Sequence, residues 1–222
     1  MIEVIVPAAA WDSDRVPLRE WVLGWWQSRG YRTTVAMLDD KPWRKGAAVN
    51  PAIAASDADV IVIADADSWA PTRQIDRMIR YASDPGRWVA PFDMVRRLDA
   101  ASSAEVLALD PATVETPPAT RLDRKPHTVL PGGGIIAAHR DTWDLVGGFD
   151  PRFADWGGED YSLGCALRTM TNRAATTIPG TLWHLWHTPQ PEETSHTSAL
   201  ALRYRKAKFR PDDMTALLAE WR

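Results

Sequence analysis

An α/β protein with a mainly parallel central sheet is what this sequence predicts. Strand-like β-branched runs alternate with helix-like stretches over residues 1–95, and one buried-type run, Val60-Ile61-Val62-Ile63-Ala64, ends in the paired carboxylates Asp65 and Asp67. Ile2 to Val6 reads as the first strand and Val16 to Arg29 as an amphipathic helix. Thr33 to Leu38 forms the second strand and Arg44 to Ala55 the second helix. The run at Val60 is apolar on both faces, the mark of a strand covered on two sides, and Thr72 to Ala82 supplies the next helix. Such βα alternation implies right-handed crossovers. The regularity lapses after Trp88-Val89-Ala90-Pro91, and Asp99 to Lys125, rich in Ala, Thr and Pro, predicts a short helix followed by an irregular loop. Tyr161 to Met170 is apolar enough for a helix, and Thr197 to Arg222 predicts one or two closing helices. No internal repeat is present.

Length and composition fit one domain. The chain has 222 residues and is 45% hydrophobic, sufficient for a real core. Its longest apolar stretches are strand-sized, and Met1-Ile2-Glu3-Val4-Ile5-Val6-Pro7 enters a strand instead of forming a basic, apolar signal, so no membrane span is expected. A single cysteine, Cys165, rules out an internal disulfide, and its place in an apolar run predicts burial. The net charge of −3 argues against general affinity for nucleic acid. Locally, Arg203, Arg205, Lys206, Lys208 and Arg210 form a basic cluster that is either a solvated helix face or a phosphate contact. Of the twelve tryptophans, Trp21, Trp25 and Trp221 fall on helix-like segments and read as packing residues, whereas Trp69 and Trp156 sit beside candidate site elements where they would stack on a ligand. Trp186, between two histidines, fits either role.

Three motifs carry chemistry. In Phe153-Ala154-Asp155-Trp156-Gly157-Gly158-Glu159-Asp160, a Gly-Gly turn allows close approach of backbone and ligand. The indole offers a flat face to a sugar ring, and the carboxylates can take a proton from a hydroxyl. The plainer alternative is acidic residues complementing a helix dipole after a turn. In the second motif, Asp65-Ala66-Asp67 lies at the C-terminal end of a buried strand, the edge where open α/β sheets bind ligands, and its hard oxygen donors suit a divalent ion that also holds a diphosphate. The third is His184-Leu185-Trp186-His187. Imidazoles with a carboxylate suit Mn²⁺ or a similar first-row ion, without excluding zinc. Residues three apart on a strand point to opposite faces, so both rings reach one ion only if the chain bends there, as Pro189 and Pro191 suggest. Arg15, in the loop after the first strand, and Lys45 and Asn50, opening the second helix, are further candidates for contacts to a nucleotide.

From Leu130 to His187 the chain resembles the C-terminal catalytic half of the β-1,4-galactosyltransferases and the polypeptide N-acetylgalactosaminyltransferases. The likeness rests on Pro131-Gly132-Gly133-Gly134-Ile135-Ile136-Ala137-Ala138, Gly147-Gly148-Phe149-Asp150, Trp156-Gly157-Gly158-Glu159-Asp160 and the histidine pair. The resemblance implies the GT-A (Rossmann-like) glycosyltransferase fold across a single catalytic domain, 1–222. Residues 1–95 would be the nucleotide-sugar-binding half, 126–190 the acceptor and catalytic half, and 195–222 the C-terminal helices.

It also implies a cofactor, Mn²⁺ or Mg²⁺, and a UDP-sugar donor. Asp67, His187 and the weaker ligand His184 would hold the metal. Asp65 would lie near the ribose or the metal's outer ligands, and Arg15, Lys45, Gly133 and Trp156 would lie against the donor. Asp160 matches the general base of the inverting enzymes, where the retaining relatives carry asparagine, and Glu159 would orient the donor sugar or the acceptor. The galactosyltransferase block continues with further aspartates where this chain has Tyr161 and Ser162, so the acceptor is not inherited: a glycan, a protein hydroxyl and a hydroxymethylated base of phage-type DNA all remain open. Relatives with an anchor and stem act in a secretory compartment, so this chain is expected to be cytoplasmic, in a bacterial or phage-infected cell. Two other readings compete: a nucleotidyltransferase of similar fold, and a non-catalytic module binding sugar or nucleotide.

Overall fold

The computed structural model describes residues 1–126, 133–155, 157–188 and 195–222. Pro131, Gly132, Trp156, Pro189 and Pro191, all singled out above, lie outside the described residues.

The chain begins with β1 (Ile2–Ala9), α1 (Val16–Ser28), β2 (Arg32–Leu38), α2 (Lys45–Ala55) and β3 (Val60–Ala64). It continues through β4 (Ser68–Trp69), α3 (Thr72–Ala82), β5 (Trp88–Ala90), β6 (Met94–Arg97) and α4 (Ala100–Leu107). Then come β7 (Ile135–His139), α5 (Arg140–Val146), α6 (Glu159–Met170), β8 (Thr176–Thr177), β9 (Thr181–His184), α7 (Ser195–Ala207) and α8 (Pro211–Ala219). The six-stranded sheet has the order β2-β1-β3-β7-β5-β8, with β7 antiparallel to both neighbours and the other pairings parallel.

Period-two alternation explains the layering. Val4, Val6, Val60 and Val62 face one side of the sheet, where α1, α3 and α4 cover them with Trp25, Trp26, Ile75 and Val106. Ile5, Ile61 and Ile63 face the other, packed with Val49 of α2, Trp143 of α5, Leu163 of α6, Tyr204 of α7 and Met214 of α8. Every residue of β3 is at most 2% exposed, so the run is covered on both faces as its composition predicts. Full burial of each such Val or Ile stabilises by about 1.5–3 kcal/mol relative to exposure. Cys165 is buried as expected, and Trp21 and Trp25 are core residues that donate their indole N–H to the carbonyls of Leu109 and Val114. Among the described residues, no helix is long and apolar enough to cross a membrane.

A second, three-stranded sheet, β4-β9-β6, sets up the site. It places His184 opposite Ser68 on one side and Arg97 on the other. Two sequence expectations are corrected here. Trp69 does not face a ligand: β4 turns its indole into the core, fully buried, 5.1 Å from the Trp21 ring and donating to the Glu115 carbonyl at 3.2 Å. Asn50 is no nucleotide contact either. Its Nδ2 donates to the Phe149 carbonyl (2.7 Å) and its Oδ1 accepts from the Phe149 N–H (2.9 Å), clamping the turn between α5 and α6.

Asn50→Ala leaves both backbone groups of Phe149 without their partners. It is expected to lower unfolding free energy by about 1–3 kcal/mol, measured by urea denaturation; unchanged stability would refute the clamp.

Candidate active site

The C-terminal ends of β1 and β3 open into a cavity of about 690 Å³. Asp65, Asp67, Arg15, Lys45, Gly133, Glu159, Asp160, His184 and His187 all line it, although they are drawn from segments scattered over most of the chain. Trp156, flanked by lining residues, is itself outside the described residues.

The polar groups fall into two clusters. In the first, β9 ends at His184 and the chain leaves strand geometry before His187, so the bend that the His-x-x-His spacing requires is present and the ring centroids are 5.2 Å apart. His184 Nε2 lies 3.5 Å from Asp67 Oδ1, and His187 Nε2 lies 3.4 Å from Asp67 Oδ2. One donor atom from each of the three residues fits within 4.8 Å of the others. Asp67 is pinned by a 2.8 Å hydrogen bond from the Leu185 N–H to its carbonyl and by the Ser68 hydroxyl donating to Oδ1 at 3.0 Å.

Burial opposes the Asp67 charge, but His184, Arg15 and His187 outweigh it and hold the carboxyl well below the usual carboxylate range. Burial likewise lowers His184 to about 4 against the pull of Asp67, with Arg97 adding to the depression. His184 is therefore neutral near pH 7. Its Nδ1, 2.6 Å from the Leu185 carbonyl, carries the proton, and the Nε2 lone pair accepts from Arg97 Nη1 at 2.8 Å, with Asp67 Oδ1 3.5 Å away. An ionised carboxylate and a neutral imidazole nitrogen, with a second imidazole beside them, form a donor set that fits a divalent first-row ion.

Two arginines border this cluster. Arg15 Nη1 is 3.1 Å from Asp67 Oδ2, with Nη2 3.2 Å from His187 Nδ1, so Arg15 stands at the triad. Arg97 was not singled out in the sequence. Its Nη1 is 2.8 Å from His184 Nε2 and its Nε is buried without a hydrogen-bond partner. The signal for it was slight: it stands two positions after Val95 on one short strand, and both line the cavity. Trp11, Trp43 and Asp155 also line the cavity without having been anticipated. Asp155 has a left-handed φ of 63° and donates its N–H to the Trp43 carbonyl at 2.6 Å, fixing the approach to the Gly-Gly turn.

The second cluster centres on Lys45, whose buried ammonium sits 2.9 Å from Asp65 Oδ1 and 3.0 Å from Asp160 Oδ1. Asp65 also accepts the Gly134 N–H at 3.1 Å. Asp65 is thus engaged by Lys45 and Gly134, whereas Asp67 is engaged by Arg15 and the two histidines. Lys45 is committed to two carboxylates. Glu159 Oε2 accepts from the Gly157 N–H at 3.1 Å, just before α6. Gly158, the residue that caps α6, has φ 84°, a conformation suited to glycine. Burial pushes Asp160 up to about 8; Lys45 opposes this and the charges of Glu159 and Asp65 reinforce it. Burial raises Glu159 as well.

Gly133 matters for space. A Cβ there would collide with Asp160 Oδ2. Gly133→Ala is expected to displace the carboxylate from Lys45 and lower turnover by about 10²-fold with little change in the fold; near-normal turnover in a well-folded variant would show that Asp160 need not sit there.

Comparison with known proteins bears on the fold and the activity class. The family profile for glycosyl transferase family 2 matches residues 18–105, and that described as the N-terminal domain of galactosyltransferase matches residues 124–187. No curated protein matches the chain. Among solved structures, the catalytic domain of Drosophila β1,4-galactosyltransferase 7 in complex with xylobiose is similar with a TM-score of 0.54 and 11% identity, over 91% of this chain and 79% of that one. A mutant of the same protein in complex with manganese, UDP-Gal and xylobiose gives 0.52 and 12%, over 90% and 79%. GalNAc-T7 with UDP, GalNAc and Mn²⁺ gives 0.56 and 11%, over 93% of this chain but 48% of that protein, so the chain spans about half its length. At these identities the structural likeness speaks for the fold, while the two profiles speak for the activity class. The chain is a glycosyltransferase of the GT-A fold that resembles the β-1,4-galactosyltransferases and the polypeptide N-acetylgalactosaminyltransferases.

Proposed function

We propose that this chain is a metal-dependent, inverting enzyme that moves a sugar from a UDP-sugar to an acceptor hydroxyl. The observation that carries the reading is the presence, in one cavity, of a histidine–carboxylate triad on one side and, on the other, a half-buried carboxylate, Asp160, whose pKa is raised. The solved structures of similar fold described above contain manganese with UDP-Gal or Mn²⁺ with UDP, which favours UDP over other nucleotides.

Asp67, His184 and His187 would hold the ion, Mn²⁺ or Mg²⁺, which when bound supplies a Lewis acid for the diphosphate leaving group. Arg15 and Arg97 border these residues, and their planar forks suit phosphate oxygens. The acceptor oxygen attacks the anomeric carbon as the bond from that carbon to the diphosphate breaks, and the hydroxyl proton passes to Asp160. Direct displacement inverts the anomeric centre. Lys45 holds Asp160 in place through its 3.0 Å contact and spans to Asp65, so base and donor side keep a fixed relation. Glu159 would orient the donor sugar or the acceptor. Ser162 is buried, while Tyr161 lines the cavity and stands where the galactosyltransferases place further acid. The acceptor is accordingly a glycan, a protein or a hydroxymethylated base, reached past Tyr161.

Release of UDP from a UDP-sugar tests the assignment. Asp160→Asn is expected to lose ~10²- to 10⁴-fold in turnover while retaining UDP binding. The base must be deprotonated to act, so the wild-type rate should climb as pH rises through about 8 and level off above it. A near-normal rate in the variant, or a rate that falls over that range, would remove Asp160 from the role of base.

A further inference from the structure

A second cavity, of about 310 Å³, adjoins the first through Tyr161, which lines both. The remaining residues of its wall are Trp88, Gly164, Cys165, Arg168, Ala174, Ala175 and Lys208. This wall contains two cations and no carboxylate. Among the described residues neither Arg168 nor Lys208 pairs with an acid; both stand over the Phe209 ring, whose centroid lies 5.4 Å from the Arg168 guanidinium and 5.1 Å from the Lys208 ammonium. Phe209 is 63% exposed and held at φ 68° by its N–H donating to Thr169 Oγ1 at 3.1 Å. A bulky residue is rarely kept in that backbone region, so the ring is presented at the surface at a conformational cost.

The basic cluster near the C-terminus therefore divides. Arg203 pairs with Glu220 and Arg210 with Asp213, as ordinary surface charges do. Lys208, by contrast, turns toward the second cavity, and the charge of Arg205 reaches its Tyr161 hydroxyl, where it opposes the effect of burial. Uncompensated cations in a concave wall attract an anion, and an arginine fork matches the oxygens of phosphate or carboxylate.

Building on the proposed function, we propose that this second cavity is an outer acceptor subsite that takes an anionic group, phosphate or carboxylate, of the molecule whose hydroxyl is delivered to Asp160. Tyr161 links the two cavities, directly following the base in sequence. The exposed Phe209 ring beside the cations offers a stacking face for the adjoining ring of the same acceptor. The acceptor is thus charged, and a neutral glycan would leave Arg168 and Lys208 without a counter-ion.

Calorimetric titration with glucose 6-phosphate, glucuronate and glucose, with UDP and Mn²⁺ present to fill the donor side, tests this. The two charged probes, or one of them, should bind while glucose does not; binding should weaken with salt and fall at least tenfold in an Arg168→Ala/Lys208→Ala variant. A preference between the charged probes would identify phosphate or carboxylate as the group. Arg168→Gln alone, should the double variant fold poorly, should give an intermediate loss, and Arg168→Lys should retain most of the affinity. Binding of glucose equal to that of its charged counterparts, binding of neither charged probe, or equal affinity in the variants would overturn the proposal. Failure of UDP to bind with Mn²⁺ would instead count against the proposed function, and titration of the charged probes without UDP would still report on the second cavity.

Discussion

Everything at the centre of this protein depends on one buried cation. The Lys45 ammonium touches a carboxylate contributed by each half of the chain, Asp65 at the end of β3 and Asp160 in the first turn of α6. Removing one partner of such a buried set is costly, commonly 3–5 kcal/mol, because the remaining charge is left uncompensated. The arrangement therefore does more than neutralise charge. It ties the position of Asp160 to the strand that leads to Asp67, and so relates the two polar clusters of the cavity. The same rule governs the other cluster, where Arg15 pairs with Asp67. In both clusters the acids are held by cations: Asp65 and Asp160 by Lys45, and Asp67 by Arg15, while Arg97 stands 2.8 Å from His184 Nε2.

Legibility in the sequence tracked how local the determining interaction is. The strand β3 could be read from five residues because burial on both faces requires an apolar run, and α3 was bounded correctly at Thr72 and Ala82 because its apolar residues recur at helical spacing. The antiparallel direction of β7 was not legible, since direction depends on how a long connection returns the chain. Nor was the sheet β4-β9-β6, whose two- to four-residue strands have no pattern of their own. This decided what was missed at the site. Arg97 reaches His184 only because β6 pairs with β9, and Trp69 turned from candidate platform to core residue because β4 pairs there too. The histidine pair was legible as a conditional, two ligands if the strand ends between them, and it does end there. Asp65 shows the limit of motif reading: Asp-x-Asp was visible, but the division of labour that sends Asp65 to Lys45 and Asp67 to the histidines needed the position of Lys45 on α2.

The same contrast between local and distant determinants bears on specificity. The motifs that carry the resemblance lie around Asp67, the histidine pair and Asp160, and the departure from it falls at Tyr161 and Ser162, directly after Asp160. Beyond Tyr161 lie Arg168 and Lys208, in a wall without carboxylates. A fold that is shared with relatives of different substrates carries its specificity in such changes of lining.

The proposed chemistry depends on Asp67, His184 and His187 holding a divalent ion. Titration of Mn²⁺ followed by electron paramagnetic resonance, in the presence of UDP, measures this directly on the wild-type protein and on His187→Ala. One Mn²⁺ bound per chain in the wild type, with binding lost or sharply weakened in the variant, is the result the account predicts. Equal stoichiometry and affinity in both proteins, or no binding to the wild type, would contradict it.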